Sequence, residues 1–457
     1  MTHTMNSRFT LVAFVAILIL TSTASAEWKE KVLYSFQGGT DGAYPDGGVV
    51  FDKQGNLYGA TQQGGADNCS PMAACGTVYQ LSPPGQKGGA WSETILHVFK
   101  GKAFNDGEFP AGGVIADASG NIYGTTSYGG TGDCVLLGIK GGCGTVYEFS
   151  PPRTEGGAWT YAILYSFKGG NDGYLPNGDL VFDSTGSLYG STAFGGGKGT
   201  TCDPGYYQYC GTVFKLTQPK TKGGKWTEQV LHSFAGGTDG ANPNGGLVLD
   251  KKGVIYGTTQ IGGNQDCNFG HGEVGCGIVF ELLPPTTKGR AWGENVIHRF
   301  TGGNDGAGPE GDLIFDAKGS LYGTAATAGT RLNGVVFRLS PSRSGRWVET
   351  VLYAFTGGAD GTNPGSGGVV FDGSGNLYGT ALGGAVFGGV VFRLKPPGRG
   401  NSWSLTVLYN FTGAPDGNHP EAILIFDSEG DLYSTTMWGG TGQTCQGGCG
   451  TVFEVSP

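Results

Sequence analysis

The chain alternates short apolar runs with glycine-rich polar connections, always in one recurring order. Its first instance reads WKEKVLYSF (28–36), GGVVFD (47–52), NLYGATQ (56–62) and GTVYQLSP (76–83). Each run is short, rich in Val, Tyr, Phe and Thr, and bounded by Gly, Pro or Asp, which predicts strands and not helices. Seven copies follow one another, marked by Phe36, Phe99, Phe167, Phe234, Phe300, Phe355 and Phe411 at spacings of 55 to 68 residues. Eight positions before each stands a Trp: Trp28, Trp91, Trp159, Trp226, Trp292, Trp347 and Trp403. The even separation predicts Trp and Phe on one face of a strand.

Between the second and third strands of every copy lies D-x-x-G, from Asp52 with Gly55 to Asp427 with Gly430. This spacing suits a tight hairpin in which the carboxylate accepts a local N–H and glycine takes the left-handed position. A four-stranded unit in seven copies predicts an all-β, seven-bladed β-propeller, with a linear stack of sheets as the alternative. The two chain ends separate these readings. A lone Trp28-to-Phe36 strand opens the repeats, and GTVFEVSP closes them with no such strand after it. Only a ring completes both, with the N-terminal strand joining the last blade and no β edge left open.

Composition narrows the picture further. With 91 glycines and 14% charged residues in 457, the chain fits one large repeat assembly better than several ordinary domains. No Gly-X-Y period supports collagen, and 12% aromatics argue against disorder. A formal charge of −9, with no basic cluster, disfavours nucleic acid and anionic membranes as partners. Residues 1–26 read as a signal peptide, with Arg8, an apolar run from Leu11 to Leu20 and small residues at Ala24 and Ala26. That run is short for a membrane span. No lipid-accepting Cys follows it and no second hydrophobic stretch stands at the C-terminus. The expected mature protein, residues 27–457, is a soluble monomer outside the cytoplasm, not inserted in a membrane.

Ten cysteines fall in five close pairs: Cys69 with Cys75, Cys134 with Cys143, Cys202 with Cys210, Cys267 with Cys276, and Cys445 with Cys449. Each pair lies between the third and fourth strands of its copy, and copies five and six have shorter loops there and no cysteine. Even number and local pairing predict five disulfides. Zinc is the rival reading, but only six histidines exist, and His97, His232 and His298 occupy a strand position held by Tyr in the other copies.

No H-E-x-x-H, G-x-S-x-G or phosphate loop is present; GGGKGT (195–200) places Gly199 where a phosphate loop needs Ser or Thr after its Lys. No catalytic residue and no cofactor are therefore expected. Seven Asp-Gly aspartates (Asp41, Asp106, Asp172, Asp239, Asp305, Asp360 and Asp416) invite calcium. Turn capping is favoured over calcium, because turn chemistry recurs with every turn.

What recurs in every copy belongs to the scaffold, so function is sought where copies differ. The Asp-Gly loops and cysteine loops are expected on one face of the ring. There Tyr44, Phe109, Tyr128, Tyr174, Phe194, Tyr207, His271 and Trp438 form the candidate ligand surface, with Asp67, Asp133, Asp203 and Asp266 near the cysteines. Ring closure gathers them on blades seven, one, two, three and four, leaving five and six comparatively bare. Aromatic faces beside acids suit sugars, and equally a protein partner; packing within the loops is the plain alternative for any one residue.

The phrases LYSF-x-GG-x-DG, D-x-x-G-N-L-Y-G-T-T and G-T-V-F resemble the GloVer-type tandem repeat of exported bacterial proteins. That resemblance implies an extracytoplasmic protein, often with a C-terminal sorting anchor that this sequence does not display, and implies no activity or catalytic residue. The leading expectation is a non-catalytic propeller binding a glycan or protein on its cysteine-loop face. A carbohydrate-active hydrolase or lyase on that face, and a purely structural envelope protein, are the alternatives.

Overall fold

In the computed structural model, residues 27–457 are described except 66–74, 87, 137–138, 155, 198–209, 222, 271–272, 288, 366 and 399–401. Seven four-stranded antiparallel sheets form a β-propeller. Blade one consists of Val50–Phe51, Leu57–Thr61, Thr77–Ser82 and Ser92–Val98, ordered from axis to rim. The other blades repeat this order. Blade seven takes Ile425–Phe426, Leu432–Thr436 and Thr451–Ser456 from the C-terminus and its outer strand, Lys29–Ser35, from the N-terminus. Lys29 pairs with Ser456 and Ser35 with Thr451, so the ring closes as the unmatched ends require.

Every outer strand carries a β-bulge, in blade seven between Val32 and Tyr34. The bulge corrects the expectation that Trp and Phe share a strand face. One extra residue reverses the side-chain parity. Trp28 therefore packs into the cluster between blades six and seven, and Phe36 into the one between blades seven and one. The same division recurs around the ring, giving seven inter-blade cores.

The D-x-x-G hairpins form as expected. Asp52 accepts the N–H groups of Gln54 at 2.8 Å and Asn56 at 2.9 Å, and Gly55 sits at φ 85°. Other glycines serve a different purpose. Around the axis the inner strands approach so closely that a Cβ on Gly112 would lie 2.7 Å from the carbonyl oxygen of Asn177 in the next blade.

Candidate functional site: the axial cavity and its collar

The link from each outer strand to the next inner strand runs over one face of the ring. Its aspartate caps its own turn: Asp41 accepts the Gln37 N–H at 2.6 Å, and Asp239 the Ala235 N–H at 2.6 Å. The same carboxylate also meets the Tyr or His of the preceding outer strand. Tyr34 donates to Asp41 at 2.5 Å, Tyr165 to Asp172 at 2.7 Å, and His97 lies 2.9 Å from Asp106. This explains why Tyr and His alternate at that strand position, since both reach a carboxylate. Among the described residues no three His, Cys, Asp or Glu converge as a metal site.

Three residues after each of these aspartates the chain reaches the residue before proline: Tyr44, Phe109, Leu175, Asn242, Gly308, Asn363 and His419 in the seven copies. All are left-handed, with φ between 46° and 63°. Their backbones make one bond pattern throughout. The Tyr44 N–H donates to the Cys449 carbonyl of the preceding blade at 2.8 Å, and the Tyr44 carbonyl accepts the Gln62 N–H at 3.0 Å. Phe109 does the same with Cys75 and Ser127, and His419 with Gly388 and Met437. Only one position uses glycine, although a side chain there costs roughly 1–2 kcal/mol of backbone strain.

Inside this collar the chain enters a cavity of about 270 Å³ on the axis. Two tiers of side chains line it. The residue after proline reads Asp46, Ala111, Asn177, Asn244, Glu310 and Glu421 in the blades that keep the common spacing; two positions deeper stand Asp179 and Asp312. Neighbours hold these acceptors in place. Gln62 Nε2 donates to Asp46 Oδ2 at 2.6 Å, Gln260 Nε2 to Glu310 Oε1 at 2.6 Å, and Ser127 Oγ to Asn177 Oδ1 at 2.6 Å. The Gly113 and Gly246 N–H groups reach Asp179 and Asp312, each at 2.5 Å. Asn244 Oδ1 is buried without a partner.

Among the described residues no Lys, Arg or His lines the cavity. Burial and, secondarily, the Asp179 charge push the Asp46 carboxyl up to about 6. Burial, with Asp46 and Glu310 adding to it, pushes Glu421 up to about 7. Asp312 and Asp179 are raised as well, burial again leading.

The candidate aromatics divide into two groups. Phe109 and Tyr128 line the cavity, their ring centroids 5.9 Å apart. Trp438 covers His419 at 4.1 Å, and Tyr44 is half-buried against the core between blades seven and one. Tyr174 and Phe194, at 3% and 6% exposure, pack on each other in an inter-blade core and offer little surface. Tyr207, His271, Asp67 and Asp203 lie outside the described residues. Asp133 is exposed and ion-paired with Lys102.

Sequence reading missed His419 and the axial carboxylates. The signal was present, because the position after proline differs from copy to copy while its neighbours recur. Blades five and six are also less bare than expected: Leu332 and Phe387 tip their short loops, 75% and 82% exposed.

Three disulfides pin the loops of this face, Cys134–Cys143, Cys267–Cys276 and Cys445–Cys449. Cys75 and Cys210 are disulfide-bonded too, while Cys69 and Cys202 lie outside the described residues. Disulfides suggest an oxidising environment. Among the described residues no helix is long and apolar enough to cross a membrane.

Solved structures with similar architecture include a gluconolactonase from Xanthomonas campestris (12% identity, TM-score 0.41, covering 94% of this chain and 89% of that one). A glucose dehydrogenase matches at 15% identity and TM-score 0.43, covering 94% and 99%. A Dyadobacter fermentans protein of unknown function matches at 10% and 0.43, covering 83% and 98%. At these scores no activity passes from them to this chain. No curated protein matches significantly. The sequence pattern of the Gloeobacter/Verrucomicrobia repeat matches residues 19–202, 138–369 and 267–457. With three overlapping matches spanning every blade, the chain belongs to the Gloeobacter/Verrucomicrobia repeat family.

Proposed function

We propose that this protein is an exported propeller that recognises a glycan, without chemistry, at the axial opening of its cysteine-loop face. One observation carries the reading: the half-buried rings of Phe109 and Tyr128 line the same cavity as a wall of carboxylate and amide acceptors. Rings stack on the C–H faces of sugars, and acceptors take their hydroxyl protons. Export is supported by the disulfide-bonded loops and by the apolar segment from Leu11 to Leu20, which itself lies outside the described residues.

A glycan array probed with the oxidised protein tests this. Saturable binding to one polysaccharide class is expected; binding only to a protein partner, or none at all, rejects it. A second reading, glycoside hydrolysis, draws on Asp46 and Glu421, whose carboxyls are pushed up to about 6 and about 7 and could exchange protons near neutrality. Product analysis on the bound glycan separates the two, since a recognition module releases no new sugar ends.

A further inference from the structure

The collar is strained where a scaffold would not require it. Its backbone bonds are the same whether the residue is Tyr44, Phe109 or Gly308, so the latch between blades needs no side chain. Bulky residues at positive φ are outliers, whereas Asn and His tolerate that region. Of the outliers Tyr44, Phe109 and Leu175, the first packs against the core between blades seven and one and the last is buried in the core between blades two and three, whereas Phe109 belongs to none of the seven cores and lines the cavity beside Tyr128. Glycine would relieve the strain, and this chain uses glycine freely, 91 times. Strain retained against so available an alternative points to contacts outside the scaffold.

The cavity limits what those contacts can be. At about 270 Å³ it lies at or below the lower end of ligand pockets, roughly 300–1,000 Å³, and it is a well on the axis instead of a groove across the face. A chain end fits such a well; the middle of a polymer does not. Five carboxyl groups line it with no Lys, Arg or His among the described lining residues, so an anionic end would find no cation to pair with.

We infer that the site takes the non-acidic terminus of a carbohydrate chain, end-on, with Phe109 of the strained collar and its neighbour Tyr128 stacking on it and selecting which sugar enters. This rests on the glycan reading above and adds the part of the glycan recognised and the residues that choose it.

The test uses the full oxidised protein and a panel of immobilised linear oligosaccharides. Each is displayed with a neutral end, with a uronic acid at that end, and as a closed ring. Binding is expected to the neutral-ended forms alone. Phe109→Gly should weaken it tenfold or more, with an unfolding midpoint at or above that of the wild type. Equal binding to rings or acid-ended chains, unchanged affinity in the Phe109→Gly variant, or weakened binding matched by a lowered midpoint would overturn the inference while leaving glycan recognition standing. Failure of the wild type to bind any member would remove the glycan reading and this inference with it.

Discussion

Tyr79 and Tyr147 bury their hydroxyls completely and without a partner, at a strand position where the other five blades carry Phe. Blades one and two have Val49 and Val114 on the inner strand, and blades three, four and five place Leu180, Leu247 and Leu313 against the shorter ring, while blade six joins Val369 to Phe392. As an unpaired polar group the extra oxygen carries a desolvation penalty. Tyr79→Phe and Tyr147→Phe are therefore expected to be neutral or to stabilise by up to about 1 kcal/mol in urea unfolding. A loss above that would reveal a partner for the hydroxyl. Gly190 shows the opposite sensitivity, because a Cβ there would lie 2.6 Å from Phe214 Cζ. Gly190→Ala should cost about 1–3 kcal/mol by overpacking, read as a lower urea midpoint at unchanged slope.

Between blades, each loop disulfide lies beneath the following link. A Cβ on Gly169 would sit 2.5 Å from Cys134 Sγ, and one on Gly302 would sit 2.3 Å from Cys267 Sγ. In cysteine-free blade five, Asn333 takes this place, its carbonyl accepting the Asn363 N–H at 2.8 Å and its side chain the Thr362 hydroxyl at 3.0 Å. Disulfides here brace neighbouring blades as well as their own loops. Replacing both Cys134 and Cys143 by Ser should lower stability by about 2–3 kcal/mol, measured by denaturant unfolding. It should also raise hydrogen exchange at the Leu175 N–H, which bonds to the Cys143 carbonyl at 3.2 Å.

Strand number, hairpins and the pairing of Cys134–Cys143, Cys267–Cys276 and Cys445–Cys449 were legible because each depends on local spacing. The bulge was not, since nothing in WKEKVLYSF distinguishes an even strand from one with an extra residue. The axial carboxylates were hidden for another reason. A ring brings Asp46 and Glu310, 264 residues apart, to one cavity, and aromatic residues drew attention to the loops first.

Over the whole molecule, five inter-blade contacts repeat one electrostatic arrangement. Glu30, Glu93, Glu228, Glu294 and Glu349, each on an outer strand, face the Asp of an Asp-Gly turn and the Tyr or His bonded to it. Tyr161 replaces Glu at the contact with His97, donating to Asp106 at 2.6 Å, and Leu405 replaces it in blade six. Burial first, then the neighbouring charges, pushes Glu30 and Glu93 up to about 8 and Glu228 to about 7, from 4.5. Between those values the folded ring holds protons that the unfolded chain has released, so its stability falls as pH rises. The contribution is complete below about 4.5 and lost above about 8. Aspartates such as Asp239 and Asp360 act in the other direction: their carboxyls are held below 3.8, and their contribution is lost in stronger acid. Maximum stability is expected in mild acid. A thermal unfolding series from pH 4 to 9 should show the midpoint declining above neutrality, and Glu93→Gln should flatten that decline. A midpoint that rises across this range would contradict the arrangement.

The same ring sets Phe109 and Tyr128 in the wall of the axial cavity, on the face that also carries Tyr44 and the Trp438–His419 pair, and that arrangement is the core of the functional account. Its most direct test compares glycan affinity of the wild type with that of the combined Tyr44→Ala, Phe109→Ala and Trp438→Ala variant, by calorimetry on the glycan that the array selects. Loss of at least two orders of magnitude in affinity, with the disulfides and blade structure intact, is the predicted result. Undiminished binding by the folded variant would contradict the account, because the ligand would then be held elsewhere on the propeller.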